Sequence, residues 1–213
     1  MCLNDEAIHL NRLMSHIHTL AEDIKLYFYQ SIPAASSIRH IRWNNDNFDC
    51  PILNVDDSCI GTPTRAGFGG LIRNNDGFYL NRFSSFIPSS SYILEAELTA
   101  IFHGLSIATD MGITELACYS DSLLSINLIT GNSSKYHVHA VLIQDIKDKL
   151  SQLNYSPHHT LREGNQCANF LAKLGASADA SLLLHQSPPD DLPPDDLRPF
   201  LRNDATGTLF LRS

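Results

Sequence analysis

Three carboxylates fall where a chain changes direction. Asp56 ends the apolar run "PILNV" within "NVDDS". Glu97 lies early in the helical stretch "ILEAELTAIFHGL", and Asp121 stands at the junction inside "CYSDSLLSINLI". Carboxylates gathered in one place repel and raise one another's pKa unless cations lie between them. Hard oxygen ligands at element ends suit Mg²⁺, which favours carboxylates and substrate phosphates, with Mn²⁺ as a substitute. Two such ions, about 3.5–4 Å apart, can activate a water and stabilise a leaving oxygen in phosphodiester hydrolysis. The same residues also have a plainer use: Asp121 suits a helix N-cap, and Glu97 suits a solvated helical position. Spacing alone leaves both readings open.

The elements around these acids can be read from periodicity. "PILNVDDS", "AGFGGLIRNN" and "GFYLNRFSSF" read as three strands, and "NNDG" between the last two is a hairpin turn signal. A long helix follows the serines before Tyr92 and stops at Gly112. "ITELACYS" is a short strand, and "DSLLSINLITG" is a helix beginning at the aspartate. "HVHAVLIQDIKDKLSQL" is a second amphipathic helix, "SPHHTLR" a strand and "NQCANFLAKLGAS" a final helix. This order, β-β-β-α-β-α-α-β-α, predicts an α/β fold. Its mixed sheet has three antiparallel strands, then helix-linked strands, with helices on its faces. Two residues along a helix turn it by about 200°, so Glu95 and Glu97 face different ways.

The flanks differ from this core. Leu10, Leu13, Ile17, Leu20, Ile24 and Tyr27 space a helical stripe over residues 5–30, which either docks on its own domain or meets a partner helix. Residues up to 42 read as that helix and a linker, with Trp43, the only tryptophan, as an anchor. Beyond residue 176, "HQSPPDDLPPDDL" cannot be regular structure in its first half and predicts an extended tail over 177–213. Cys2, Cys50, Cys59, Cys118 and Cys167 are scattered without a C-x-x-C pair, as expected of reduced thiols and not of a zinc site. No apolar run approaches a membrane span, and the first residues do not read as a signal peptide. An intracellular protein, nuclear or cytoplasmic and away from membranes, is expected. The net charge is −8, and residues 49–176 hold 8 Lys/Arg against 12 Asp/Glu. Such a chain is a poor nonspecific binder of nucleic acid, so phosphates would need local cations. "HVH" at 137–139 lacks further ligands and reads as surface histidines. "GFGG" lacks the lysine of a phosphate loop.

Four ordered segments, "NVDDSCIGTPTRAGFGGLIR", "LEAELTAIFHGL", "CYSDSLLSINLI" and "HTLREGNQCANFLAKLG", together resemble ribonuclease H. The resemblance is to the plant ribonuclease H-like domains related to retroelement reverse transcriptases, and covers residues 43–176. It implies a ribonuclease H-like fold with a five-stranded mixed sheet, and Mg²⁺-dependent cleavage of the RNA strand of an RNA/DNA hybrid. It implies metal ligation by Asp56, Glu97, Asp121 and the position of Asn169, and a mobile, assisting His159. The backbone of 59–69 would approach the hybrid's minor groove, where 2′-hydroxyls mark RNA. Two positions depart from the family pattern. Asn169 stands where the family has aspartate, and an amide oxygen brings no charge. Asp57 stands where the family has glycine, adding bulk and charge beside the phosphates. Both departures are expected to weaken catalysis. A catalytically weak or inactive nucleic-acid-binding or protein-interaction module is the alternative.

Overall fold

A computed structural model describes residues 39–44, 46–62, 64–87, 93–131, 137–152, 154–178, 183–186 and 196–212. The stripe over residues 5–30, with its possible helix partner, and the proline-rich stretch 187–195 lie outside the described residues. The strands are β1 (Arg39–Ile41), β2 (Ile52–Ile60), β3 (Arg65–Arg73), β4 (Tyr79–Ile87), β5 (Glu115–Ser120), β6 (Asn154–His159), β7 (Leu183–Gln186) and β8 (Phe210–Arg212). The helices are α1 (Ile93–Asp110), α2 (Leu123–Thr130), α3 (Ala140–Leu150), α4 (Gln166–Ser177) and α5 (Arg198–Ala205).

The main sheet runs β6-β5-β2-β3-β4-β7. β2, β3 and β4 form the expected antiparallel meander, while β5 and β6 join parallel to β2. The β3–β4 turn closes at Asn74–Gly77. Gly77 adopts φ 85°, a left-handed value that a side chain would strain, and the Asn74 side chain accepts from the Phe78 N–H at 2.7 Å. Five central strands match the order read from the sequence.

The residues beyond 177 differ from the extended tail expected of them. β7 pairs antiparallel with β4 as a sixth strand, α5 packs near α4, and β8 pairs with β1 in a separate two-stranded sheet. Prolines interrupt this segment without emptying it of apolar residues: Leu197 is fully buried, against Leu71 and α4. Residues 39–212 thus fold as one compact unit.

The two faces of the sheet bury different helices. Leu53, Val55, Phe68 and Ile72 point toward α1, α2 and α3. On the opposite face Leu71 meets Ala168 and Leu171 of α4. Period-two alternation along β2 and β3 produces this division. α4 lies so close to β3 that a Cβ on Gly69 would stand 2.6 Å from the Ala172 nitrogen. Gly67 and Gly69 therefore seat a helix, and the part of 59–69 left free to approach a ligand is the β2–β3 turn. Trp43 is buried as an anchor, its ring 4.2 Å from the Arg73 guanidinium. His137 and His139 lie in a turn before α3, not within the helix, so their rings approach to 5.7 Å.

Candidate metal centre

The parallel ladder between β2 and β5 ends at the pair Val55 and Ser120. Asp56 and Asp121 are the next residues of the two chains, and His159 pairs with Ser120 on β6. The site thus forms at the carboxyl ends of adjacent parallel strands, where the chains part and the backbone leaves a crevice. Glu97, in the second turn of α1, enters this crevice from the helical face and is 1% exposed.

Local hydrogen bonds fix each group. The Ser120 hydroxyl donates to Glu97 Oε1 at 3.2 Å and accepts from the Ser122 N–H at 2.9 Å. Glu97 Oε2 is buried and has no hydrogen-bond partner among the described residues. The α2 cap is Ser122, whose hydroxyl accepts from the Ser125 N–H at 3.2 Å. Asp121 therefore does not cap or begin α2. Its carboxylate is free for the crevice, where it meets the Asp56 carboxyl and accepts from Arg162 Nε at 3.1 Å. His159 Nε2 lies 3.2 Å from the Asp121 carbonyl oxygen.

Asn169 occupies the first turn of α4 and is half-buried. One turn earlier, Asn165 Nδ2 donates to the Val55 carbonyl at 2.8 Å. One turn later, Ala172 covers Gly69, the residue opposite Asp56. These contacts set Asn169 alongside the Asp56 end of β2. Asp56, Glu97, Asp121 and His159 thus lie around one crevice, and α4 carries Asn169 past the Asp56 end of β2.

Two participants lie beyond those five: Asp57, expected from the sequence only as a departure that burdens the site, and Arg162, which the sequence does not mark. One carboxylate oxygen each from Asp56, Asp57 and Glu97 lie within 4.8 Å of one another. Asp57 is thus part of the acidic group, and not only a bulky neighbour. The other is Arg162, which projects into solvent and brings the site a positive charge. The signal for Asp57 was the doubled acid itself, placed where a ladder ends and both faces of a strand can reach the gap.

The electrostatics follow from burial and like charge. Burial, then the charge of Asp121, push the Asp56 carboxyl up to about 8. The same two causes push Asp57 up to about 7, opposed by Arg162. Burial first, then Asp56, Asp57 and Asp121, hold Glu97 well above the usual carboxylate range. Such a set suits a divalent cation. Its donors are hard oxygens, it carries an excess of negative charge, and Glu97 keeps a buried oxygen with no donor.

Residues 54–175 match the Reverse transcriptase-like family, and the chain belongs to it. Its fold is that of ribonuclease H. The chain is 28% identical over 175 residues to the Arabidopsis thaliana protein named "Putative ribonuclease H protein". That alignment takes in 80% of this chain but 27% of the relative, so the chain spans about a quarter of that protein. Among solved structures, ribonuclease H1 of Halobacterium salinarum superposes with a TM-score of 0.54 at 22% identity, over 59% of this chain and 96% of that one. The ribonuclease H domain of a Mycobacterium tuberculosis protein gives 0.54 at 23% identity, over 61% and 94%. A ribonuclease H1 isolated from compost, LC11, solved with an RNA/DNA hybrid, gives 0.53 at 22% identity, over 59% and 96%.

Proposed function

We propose that the chain is a divalent-metal-dependent endonuclease of ribonuclease H type, cutting the RNA strand of RNA/DNA hybrids. The observation that carries this reading is the convergence of Asp56, Glu97 and Asp121 at the parted ends of β2 and β5. Asp56, Glu97 and Asp121 would hold Mg²⁺ or Mn²⁺, with the Asn169 amide oxygen alongside. The metal would supply Lewis acidity toward a phosphodiester and offset the repulsion among the acids.

The chain's own residues have separate tasks. Ser120 orients Glu97 by one oxygen and leaves the other for ligation. Arg162 aligns Asp121, and its exposed guanidinium is placed to meet a backbone phosphate at the mouth of the site. Asn165 ties α4 to Val55, so that the strand bearing Asp56 holds its place. His159, exposed beside the Asp121 carbonyl, is positioned to exchange a proton with solvent at the leaving oxygen. The turn after β2 is the part that would approach the minor groove.

The net acidity of residues 49–176 and the uncharged Asn169 favour a second reading, in which the fold binds nucleic acid or a protein without cutting. Cleavage of a labelled RNA/DNA duplex over a Mg²⁺ and Mn²⁺ series separates the two. The first reading expects metal-dependent cuts in RNA that vanish in Asp121→Asn, with a DNA duplex left whole. A folded protein that cuts no hybrid at any metal concentration overturns it and leaves the second.

A further inference from the structure

We propose that Asp57 is itself a ligand of the divalent cation, so that this chain carries on β2 a carboxylate that α4, with Asn169, does not provide. The proposal rests on the metal-centre reading above and deepens it.

Adjacent residues of a strand point to opposite faces. Asp56 stands opposite Gly69, beneath α4, and Asp57 opposite Phe68, which packs with α1. In the middle of a sheet two such acids could not share an ion. Here the β2–β5 ladder has already ended at Val55, so no paired strand separates the two faces on that side. The Asp57 N–H donates to Asp56 Oδ1 at 2.9 Å, which turns the Asp56 carboxylate along the strand toward its neighbour. Asp57 reaches the same place from the α1 face, where Glu97 enters.

The resulting oxygens, one from each of Asp56, Asp57 and Glu97, lie within 4.8 Å of one another. Octahedral Mg²⁺ holds oxygens at about 2.1 Å, so its ligands are separated by about 3–4 Å. A small contraction brings all three onto one ion. An independent sign of a ligand comes from Glu97, whose buried Oε2 has no hydrogen-bond partner among the described residues. A buried acceptor without a donor is costly, and a cation satisfies it. Asn169, by contrast, offers an amide oxygen and no charge.

Isothermal titration of the full chain with Mn²⁺, without nucleic acid, tests the assignment independently of catalysis. Asp57→Asn keeps the side-chain shape, and Asp57→Gly removes it; circular dichroism confirms that each is folded. Both should bind Mn²⁺ more weakly by about tenfold or more, since ligand charge sets the affinity of such sites. Equal or tighter binding by both, with Asp56→Asn abolishing it, overturns the role of Asp57 and leaves the metal centre standing. No Mn²⁺ binding by the natural chain at millimolar concentration overturns the metal centre, and this proposal with it.

Discussion

Asp56 and Asp57 hold protons near neutrality because burial and the Asp121 charge disfavour their ionised forms. Their unfolded counterparts ionise near pH 4. Between about pH 4 and the folded values of about 8 and about 7, the folded chain therefore binds more protons than the unfolded one. Stability must fall as pH rises through that window. Thermal melts of the metal-free protein should show Tm dropping from pH 5 toward pH 8. Asp56→Asn should flatten that slope. Addition of Mg²⁺ at pH 8 should raise Tm again, because the ion replaces protons as the counter-charge. A Tm that rises with pH without metal would contradict the burial and repulsion described for the site.

The helix that carries Asn165 and Asn169 depends on the absence of side chains beneath it. Gly69→Ala would bring a Cβ against the Ala172 backbone, with no flexible atom to yield. Overpacking of this kind costs about 1–3 kcal/mol. It should also lift Asn165 from the Val55 carbonyl, so hybrid cleavage should fall further than the loss of folded protein accounts for. Denaturant melts and specific activity measure the two effects. At the other side of the crevice Ser122→Ala removes the α2 cap and should cost about 1 kcal/mol, read as a lower denaturation midpoint. The periodicity of the "NQCANF" stretch made its helix legible, and the close approach explains a glycine pattern that resembled a phosphate loop without its lysine. The cap was not legible: Asp121 and Ser122 are both good N-caps, and only the bond that the Ser125 N–H donates to the Ser122 hydroxyl distinguishes them.

Across the whole molecule, the C-terminal segment reaches the site through a buried polar chain. Asp204 of α5 pairs with Arg73 at 2.5 Å, and both side chains are nearly inaccessible. Arg73 donates to Asn54 at 2.7 Å, Asn54 to Asn165 at 3.2 Å, and Asn165 to the Val55 carbonyl beside Asp56. Removing one member of a buried ion pair leaves the other uncompensated, at a cost of about 3–5 kcal/mol. Asp204→Ala should therefore destabilise the chain by that order in chemical denaturation, and more than Asp204→Asn, which keeps an acceptor. Residues 39–212 form one compact unit. A protein beginning at residue 39 should keep its far-ultraviolet circular dichroism and cooperative melt. A cut that also removes β1 should not, because Arg39–Ile41 pairs with Phe210–Arg212.

The order of strands and helices over residues 51–177, the positions of Asp56 and Glu97 on them, and the place of Asp121 at a strand-to-helix junction, though not its exclusion from the helix cap, were set by the sequence alone. Alternation, helical period, a hairpin turn and glycine stops are local signals, and each survives without knowledge of its neighbours. Tertiary structure decided where those elements meet. The ladder of β2 and β5 stops one residue before two aspartates, and that stop lets Asp57 join a group from which the pleat would exclude it. It also decided the fate of the C-terminal segment. Proline and aspartate composition argues for an extended tail, whereas β7, α5 and β8 find partners on β4, α4 and β1 that no local pattern announces. Contacts across such sequence separations depend on the faces that the sheet leaves uncovered, and those exist only once it has formed.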